Sequence, residues 1–381
     1  MVQAMVDIMG EHGARAGIIW IGILACIAVF APFLASSFPV ALQLRDGSWE
    51  FPLFHNLRSL DLLLVVSFMA GIFLAVFQRR ASRRPVKIAA GVVAIAALLA
   101  PFIPGPPQNI VWENYRVREV AGEFTKVYHA PVPYSANDRM RDHPEDTLQP
   151  PSARHWLGTT VFGEDMLSRM IHASRVALTI GILATVLSVV IGIIAGGLMG
   201  YFAGWTDLLG MRVTEMVEAI PRLILLLIIT SFFGRSIYLM MTVIGLLGWT
   251  GNARFIRAEF LKLRNQDFVQ AGIAAGLPLR SILFRHMLPN AIAPVLVEAS
   301  FGIAGAILLE SVLSFLGLGL AAEDPSWGQL LNQARSSGTG FNWWIATFPG
   351  LAIFLTVFAY ILVGEALRDA LDPKLRGSSR D

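Results

Sequence analysis

The sequence predicts an all-α integral membrane protein, and three observations carry that prediction. Of 381 residues, 55% are hydrophobic and 15% charged, with mean hydropathy +0.60, whereas an ordinary soluble domain has roughly 25% charged residues. The apolar residues come in blocks without a charge, at 16–44, 88–112, 176–206 and 336–364, and about 20 residues suffice to cross a hydrocarbon core of about 30 Å as a helix. Lysine and arginine concentrate in two connections, at 79–87 and 253–290, the asymmetry that orients a chain in a bilayer.

Charge-poor blocks then give about eight spans, at 17–36, 59–78, 86–104, 176–201, 210–233, 236–252, 291–317 and 344–364. The first is read as an anchor rather than a cleaved signal: Glu11 and Arg15 make a weak charged start, and 18–35 exceeds the usual apolar length of a signal. After the second span, Arg79, Arg80, Arg83, Arg84 and Lys87 stand without an acid, so this connection faces the cytoplasm. Counting outward puts both termini inside and 105–175 outside. That external segment opens with Pro101, Pro104, Pro106 and Pro107 and is too long for a turn. A small folded excursion and a solvated linker both fit it.

The fourth span carries Ser188, Gly192, Gly196, Gly200 and, just beyond, Gly204, each four apart on one helix face. Small residues at that spacing let helix backbones approach closely in lipid; lining of a substrate path is the other reading. The fifth span holds Glu215, Glu218 and Arg222, and the sixth is short. In the seventh, Glu298 lies toward the inner end and Glu310 deep inside, where an ionised side chain costs about 2.5–3.5 kcal/mol on insertion scales. Glu310 and Glu215 are therefore candidates for a translocation path. A carboxylate bonded to a neighbouring helix is the alternative for Glu310.

The segment 264–290, RNQDFVQAGIAAGLPLRSILFRHMLPN, is too polar to cross. It predicts two short helices: one from Asp267 to Ala275 ended by Gly276, and one from Pro278 to Met287 closed by Leu288-Pro289. The pair would present an apolar ridge of Phe268, Ile273, Leu279, Ile282 and Leu283 with basic flanks, suited to the groove of another protein or to lipid headgroups. His286 reads as a helix-end residue over terminal carbonyls.

Several functions are excluded. Net charge is only +3 and no basic stripe interleaves with aromatics, so no nucleic-acid partner is expected. Cys26 is the single cysteine, ruling out an internal disulfide. No GxxxxGK[ST] loop occurs. His12, His55, His129, His143, His155, His172 and His286 show no HxxxH spacing, so neither a metal site nor a catalytic residue is expected.

Gln270-Ala271-Gly272, then Gly276, then His286-Met287-Leu288-Pro289 resembles the EAA motif of ABC importer permeases. The likeness extends to 155–181, 211–221, 248–261, 308–331 and 364–376, where the chain is similar to the dipeptide, oligopeptide and nickel branch, most of all to the second permease subunit of oligopeptide importers. It covers about 150–381. The resemblance implies that the last five spans form a permease core. It also implies that Asp267, Gln270, Ala271, Gly272, Gly276, Arg285, His286, Leu288, Pro289 and Asn290 belong to coupling helices that dock on an ATPase subunit.

The chain departs from the family pattern at Gln270, where glutamate is usual, at Gly272, where alanine is usual, and at Glu164, where this branch commonly has arginine. Two of the three spans within 1–104 extend beyond the family's single N-terminal span. The implied organisation is a membrane extension over 1–104, an extracytoplasmic segment over 105–175, a core over 176–368 with its coupling loop at 253–290, and a cytoplasmic tail over 369–381. The implied partners are a homologous second permease, two ATPase subunits holding ATP and magnesium, an extracytoplasmic binding protein and membrane lipid. This chain would itself bind no cofactor, in a bacterial-type plasma membrane. Short peptides are the expected cargo, nickel or modified peptides the alternatives. A proton-coupled carrier relaying through Glu310 and Glu215 and a membrane-embedded enzyme are the rivals of other classes.

Overall fold

The computed structural model describes residues 12–77, 86, 89, 91–93, 111–321, 323–336, 340 and 342–371. Outside them lie Glu11, the basic cluster Arg79 to Lys87, most of the span 86–104, the prolines that open the external segment, and the tail from residue 372. In chain order the elements are α1 (His12–Val29), α2 (Ala31–Leu34), β1 (Ala41–Leu44), β2 (Trp49–Glu50), α3 (Pro52–His55), α4 (Ser59–Phe77), α5 (Asn114–Val120) and β3 (Phe124–Tyr128). Then follow α6 (Met166–Phe202), α7 (Gly204–Ala219), α8 (Arg222–Phe233), α9 (Ile237–Leu263), α10 (Asp267–Ala274), α11 (Leu279–Ser281), a π-helical turn (Ile282–Met287), α12 (Leu288–Phe315), α13 (Trp327–Ser336) and α14 (Trp343–Leu371).

The helical class stands, with differences at several boundaries. Among the described residues, four helices are long and apolar enough to cross a membrane: α1, α6, the run Leu279–Phe315 and α14. The expected span 210–233 is broken into α7 and α8, bent by 71°. Pro221 is the cause, since it lacks an N–H and drives the preceding Ile220 into extended conformation. The expected eight comprise these five, the helices α4 and α9, and the span 86–104 that lies mostly outside the described residues.

The expected span 236–252 continues as helix to Leu263, so the loop expected at 253–290 loses its first eleven positions. Charge did not end that helix because it is paired. Arg254 bonds Glu218, and Arg257 forks Asp207, its second contact at 2.6 Å. Two of the cations counted for the loop are thus ion-paired side chains of a helix.

The chain divides into two compact units. In the first (Met1–Ile23, Val176–Asn332, Pro349–Asp381), α6 lies flush on α9. A Cβ at Gly192, Gly196 or Gly200 would come within 2.4 Å of Asn252 Cβ, 2.3 Å of the Ala253 oxygen or 2.6 Å of Phe260 Cβ, respectively. The stripe is therefore a packing face, as small residues in lipid-embedded helices commonly are, and Asn252 Nδ2 donates across it to Ser188 Oγ at 2.9 Å. In the same unit α1 seats on α14: Gly17 abuts the Ala359 carbonyl, and Trp20 Nε1 donates to Thr356 Oγ1 at 3.2 Å.

The second unit (Leu24–Arg175, Gln333–Phe348) holds a feature absent from the helical reading, a three-stranded antiparallel sheet in the order β2-β1-β3. Its strands are two to five residues long, too short for alternation to register, and β1 hid at the end of the apolar block 16–44. An Asp46-Gly47 corner, with Gly47 at φ +87°, turns β1 into β2, the chemistry such hairpins favour. Leu42 faces inward and is fully buried. The segment read as external is thus folded over its described residues, from 111 on.

Arg116 of α5 grips Asp138 at 2.5 Å and Asp142 at 2.8 Å, and Ser37 Oγ donates to the same Asp138 at 2.5 Å. The Arg116 hydrogen bonds hold the Asp142 carboxyl below its ordinary value. A lowered carboxyl contributes stability that is complete above its unfolded pKa and lost as pH falls through the folded one, so this contribution begins to fall near about pH 4 and is lost as the pH drops further. Arg116→Met leaves buried Asp138 without its cation. It is expected to destabilise this unit by about 3–5 kcal/mol, read as accelerated proteolysis within 111–165 while the helical unit stays protected.

Further ties join the N-terminal helices to the start of α6. Asp61 of α4 meets Arg175 at 2.5 Å, and His172 Nε2 reaches the Ala35 carbonyl at 3.0 Å. Elsewhere in this unit His155 Nδ1 pairs with Asp165 at 2.8 Å, and Trp344 Nε1 donates to the Thr159 carbonyl at 3.2 Å. Glu164, at the arginine position of the resemblance, pairs with Arg169 at 2.7 Å, while burial pushes its carboxyl upward.

Candidate functional site

The segment between α9 and α12 forms a knob of two helical pieces around a tight corner. Asp267 opens α10 in its first turn, where a carboxylate favours the helix dipole. The helix ends in a Schellman motif: Gly276 has φ +68°, its N–H bonds the Ile273 carbonyl at 3.0 Å, and the Leu277 N–H bonds the Gly272 carbonyl at 3.1 Å. Any side chain at 276 would meet backbone strain, which is why glycine stands there. Pro278, extended at φ −64° and ψ 144°, caps α11 from outside instead of opening it.

The second helix does not close at Leu288-Pro289. It passes through the π turn and runs on as α12, one helix from Leu279 to Phe315. Proline inside a helix removes one hydrogen bond and crowds the carbonyl four residues back; the wider π turn just ahead of Pro289 gives that ring room. Asn290 Nδ2 donates to the His286 carbonyl at 2.7 Å, satisfying an acceptor at the irregularity. His286 consequently sits inside a continuous helix, and its expected role over terminal carbonyls is corrected.

The ridge also differs from expectation. Phe268, Ile273 and Leu279 are exposed, but Ile282 and Leu283 are buried, packed with Ile256, Phe260, Val269, Met287, Ala291 and Val295. Phe284 is 53% exposed where Ile282 is 3%, and Leu277 joins it at the surface. Sequence reasoning missed Phe284 because the π turn shifts the helical phase between 282 and 287, and Leu277 because it lies in the corner, outside either helix. Of the residues singled out here, Asp267, Gln270, Ala271, Gly276, Arg285, Pro289 and Asn290 are exposed, His286 and Leu288 are half-buried, and Gly272 is buried. Gln270 Nε2 donates to the Arg264 carbonyl at 2.8 Å.

The two path candidates occupy different settings. Glu215 is exposed and pairs with Arg212 of its own helix at 2.6 Å. Glu310 is 1% exposed, and its Oε1 accepts hydrogen bonds from Ser314 at 2.7 Å and Ser326 at 2.6 Å. Ser326 Oγ in turn accepts the Gly328 N–H at 3.1 Å, so Glu310 anchors the start of α13 onto α12. This geometry fits the structural alternative rather than a path lining. Glu310→Gln keeps an oxygen for both serines, so its uptake and pH profile are expected to stay within about twofold of the parent, whereas Glu310→Leu strands two buried hydroxyls at about 1–3 kcal/mol each. Uptake measured across pH in both variants checks this.

Among the described residues, one group has metal-ligand spacing, His143, Glu145 and Asp146. Its charges are already engaged: His143 Nδ1 bonds Glu145 at 3.0 Å and Arg154 lies 2.9 Å from Asp146.

These features define a class: a multi-span helical membrane subunit that presents a structured apolar knob at one connection. The chain belongs to the family of binding-protein-dependent transport system inner membrane components, whose model matches residues 168–377. It is similar to the oligopeptide transport system permease protein OppC of Haemophilus influenzae, 40% identical over 222 residues that cover 58% of this chain and 71% of that protein. The dipeptide transport system permease protein DppC of Bacillus subtilis is 35% identical over 227 residues, 60% of this chain and 71% of that one. Among solved structures, the MetNI methionine ABC transporter in inward-facing conformations aligns over 54% of this chain and 98% of its own, with 17% identity and TM-score 0.43. Family membership makes the chain a multi-pass membrane protein that works with ATPase, substrate-binding and second permease partners.

Proposed function

We propose that this chain is one of two permease subunits of an importer that carries short peptides into the cytoplasm, driven by ATP hydrolysed on two partner ATPase subunits. The observation that carries the reading is the knob, whose Schellman corner and exposed Phe268, Ile273, Leu279 and Phe284 offer an apolar docking surface. It coincides with the motif residues Gln270 to Gly276 and His286 to Pro289. In this reading Asp267, Gln270, Ala271, Gly272, Arg285, His286 and Asn290 belong to the same contact, and ATP with magnesium stays on the partner. Peptide cargo rests on the names of the relatives, OppC and DppC.

Sidedness is supported by strand pairing. β1 and β3 share one sheet, so the chain between them crosses the membrane an even number of times, as the spans 59–78 and 86–104 would have it. Trp344 bonds Thr159, and between Met166 and Trp343 the helices α6, α7 with α8, α9 and α12 supply four crossings. The loop 264–287 follows the third of these, after an odd number of crossings. With that loop cytoplasmic, both termini are cytoplasmic and 105–175 is extracytoplasmic. In this reading the chain is organised as an extension over 1–104, an extracytoplasmic segment over 105–175, a core over 176–368 and a tail over 369–381.

The test is depletion of short peptides from medium, followed by mass spectrometry, in cells lacking the chain and cells carrying it back. Restored, vanadate-sensitive depletion is expected. Vanadate-insensitive uptake would replace the importer with a proton-driven carrier, and restored nickel accumulation without peptide depletion would reassign the cargo.

A further inference from the structure

Besides the burial of Val269, the knob's first helix is tied to the end of α9 by a hydrogen bond from a side chain that departs from the resembling family's pattern. Arg264 is the C-cap of α9, and its carbonyl is one of the end groups that an α-helix leaves without a partner. Gln270 Nε2 donates to that carbonyl at 2.8 Å. The Arg264 side chain in turn points Nη1 at the Tyr201 carbonyl at 3.5 Å, next to the end of α6. Gln270 therefore joins α10 to α9 and, through Arg264, to α6. An ionised carboxylate has no hydrogen to donate, so glutamate at 270 would set an acceptor against an acceptor.

We infer that Gln270 is a positioning residue that presets the angle of the knob before the ATPase arrives, through a bond that an amide or a protonated acid can make and an ionised carboxylate cannot. This rests on the importer reading and adds to it: the side chain would act within its own chain, and glutamate, the residue usual in the resembling family, would be the damaging replacement here. A surface made rigid in its bound form loses less freedom on binding, so the strut raises affinity for the partner without touching it.

The experiment uses the full chain with its partner permease in nanodiscs. Hydrogen–deuterium exchange at amides 267–276 is measured first with the ATPase absent. One hydrogen bond of ordinary strength predicts exchange about fivefold faster in Gln270→Glu and in Gln270→Ala than in the parent at pH 8. Near about pH 4.5, where a glutamic acid regains its proton, the ratio for Gln270→Glu is expected to fall toward one and that for Gln270→Ala to stay high. ATPase binding to the same discs at neutral pH should weaken about fivefold in both variants. Parental exchange in Gln270→Glu at pH 8 would overturn the strut, leaving Gln270 a contact residue at most. Failure of the parent discs to bind any ATPase subunit would instead remove the importer reading, with the exchange data still deciding whether the bond holds the corner.

Discussion

Gly196→Leu is expected to abolish the packing of α6 on α9 and with it recovery of the folded chain. A Cβ at 196 would lie 2.3 Å from the Ala253 oxygen and 2.9 Å from its Cα. Both are backbone atoms, so no side chain can swing aside. Overpacking of a close interface costs about 1–3 kcal/mol when neighbours yield, and here the helices must separate, which puts Gly196→Leu at or above the top of that range. Gly305→Ala is the control, because nothing lies within 4 Å of its added carbon; a helix-interior alanine gains about 1 kcal/mol over glycine. Thermal unfolding in detergent should separate the two variants in sign. Equal behaviour would mean that α6 and α9 are not in backbone contact.

Phe284→Asp is expected to eliminate ATP-driven uptake while the chain folds and inserts normally. The ring is exposed on the knob, and an aromatic anchor of a protein interface is commonly worth about 2 kcal/mol or more, roughly a 30-fold loss of partner affinity before the charge is counted. Ile282→Asp, two residues earlier, should behave differently. That side chain is buried against Phe260 and Met287, and an unpaired carboxylate there unfolds the knob. Co-purification with the ATPase, alongside protease resistance of the chain, reads the two effects separately. Retained co-purification of Phe284→Asp would place the docking face elsewhere on the knob.

The knob was legible wherever local chemistry decides. Gly276 and Pro278 mark the corner by conformations that few other residues adopt, and α10 runs from Asp267 to within one residue of its expected end. Long-range packing stayed invisible. Nothing local distinguishes Ile282 and Leu283, which turn inward, from Phe284, which turns out, because the π turn that sets their phase is a departure from the period used to read them. Proline misled in the same way, signalling an end at 289 but causing one only at 221. Of the serines that enclose Glu310, Ser314 lies one helical turn along α12, whereas Ser326 arrives only through the return of α13 onto α12. The small sheet was hidden for the reverse reason: its strands are too short to repeat a pattern, and the β1–β3 pairs join segments about 80 residues apart.

The π turn also sets a gear ratio between the two ends of one rod. A turn with one residue more than the α-helix advances the following side chains by about 100° relative to an uninterrupted helix. The face that α12 shows to its neighbours and the face that 279–284 exposes are therefore chosen separately, by where that extra residue sits. Removing one residue between Ile282 and Met287 would lock the rod into a single phase. The helix would be no weaker for it, but Phe284 would swing about a quarter-turn or more out of line with Phe268 and Ile273. A chain so shortened should still insert, but Ile282 and Leu283 would turn with the ring and leave their buried cluster, so the knob would have to repack before any partner met its old face.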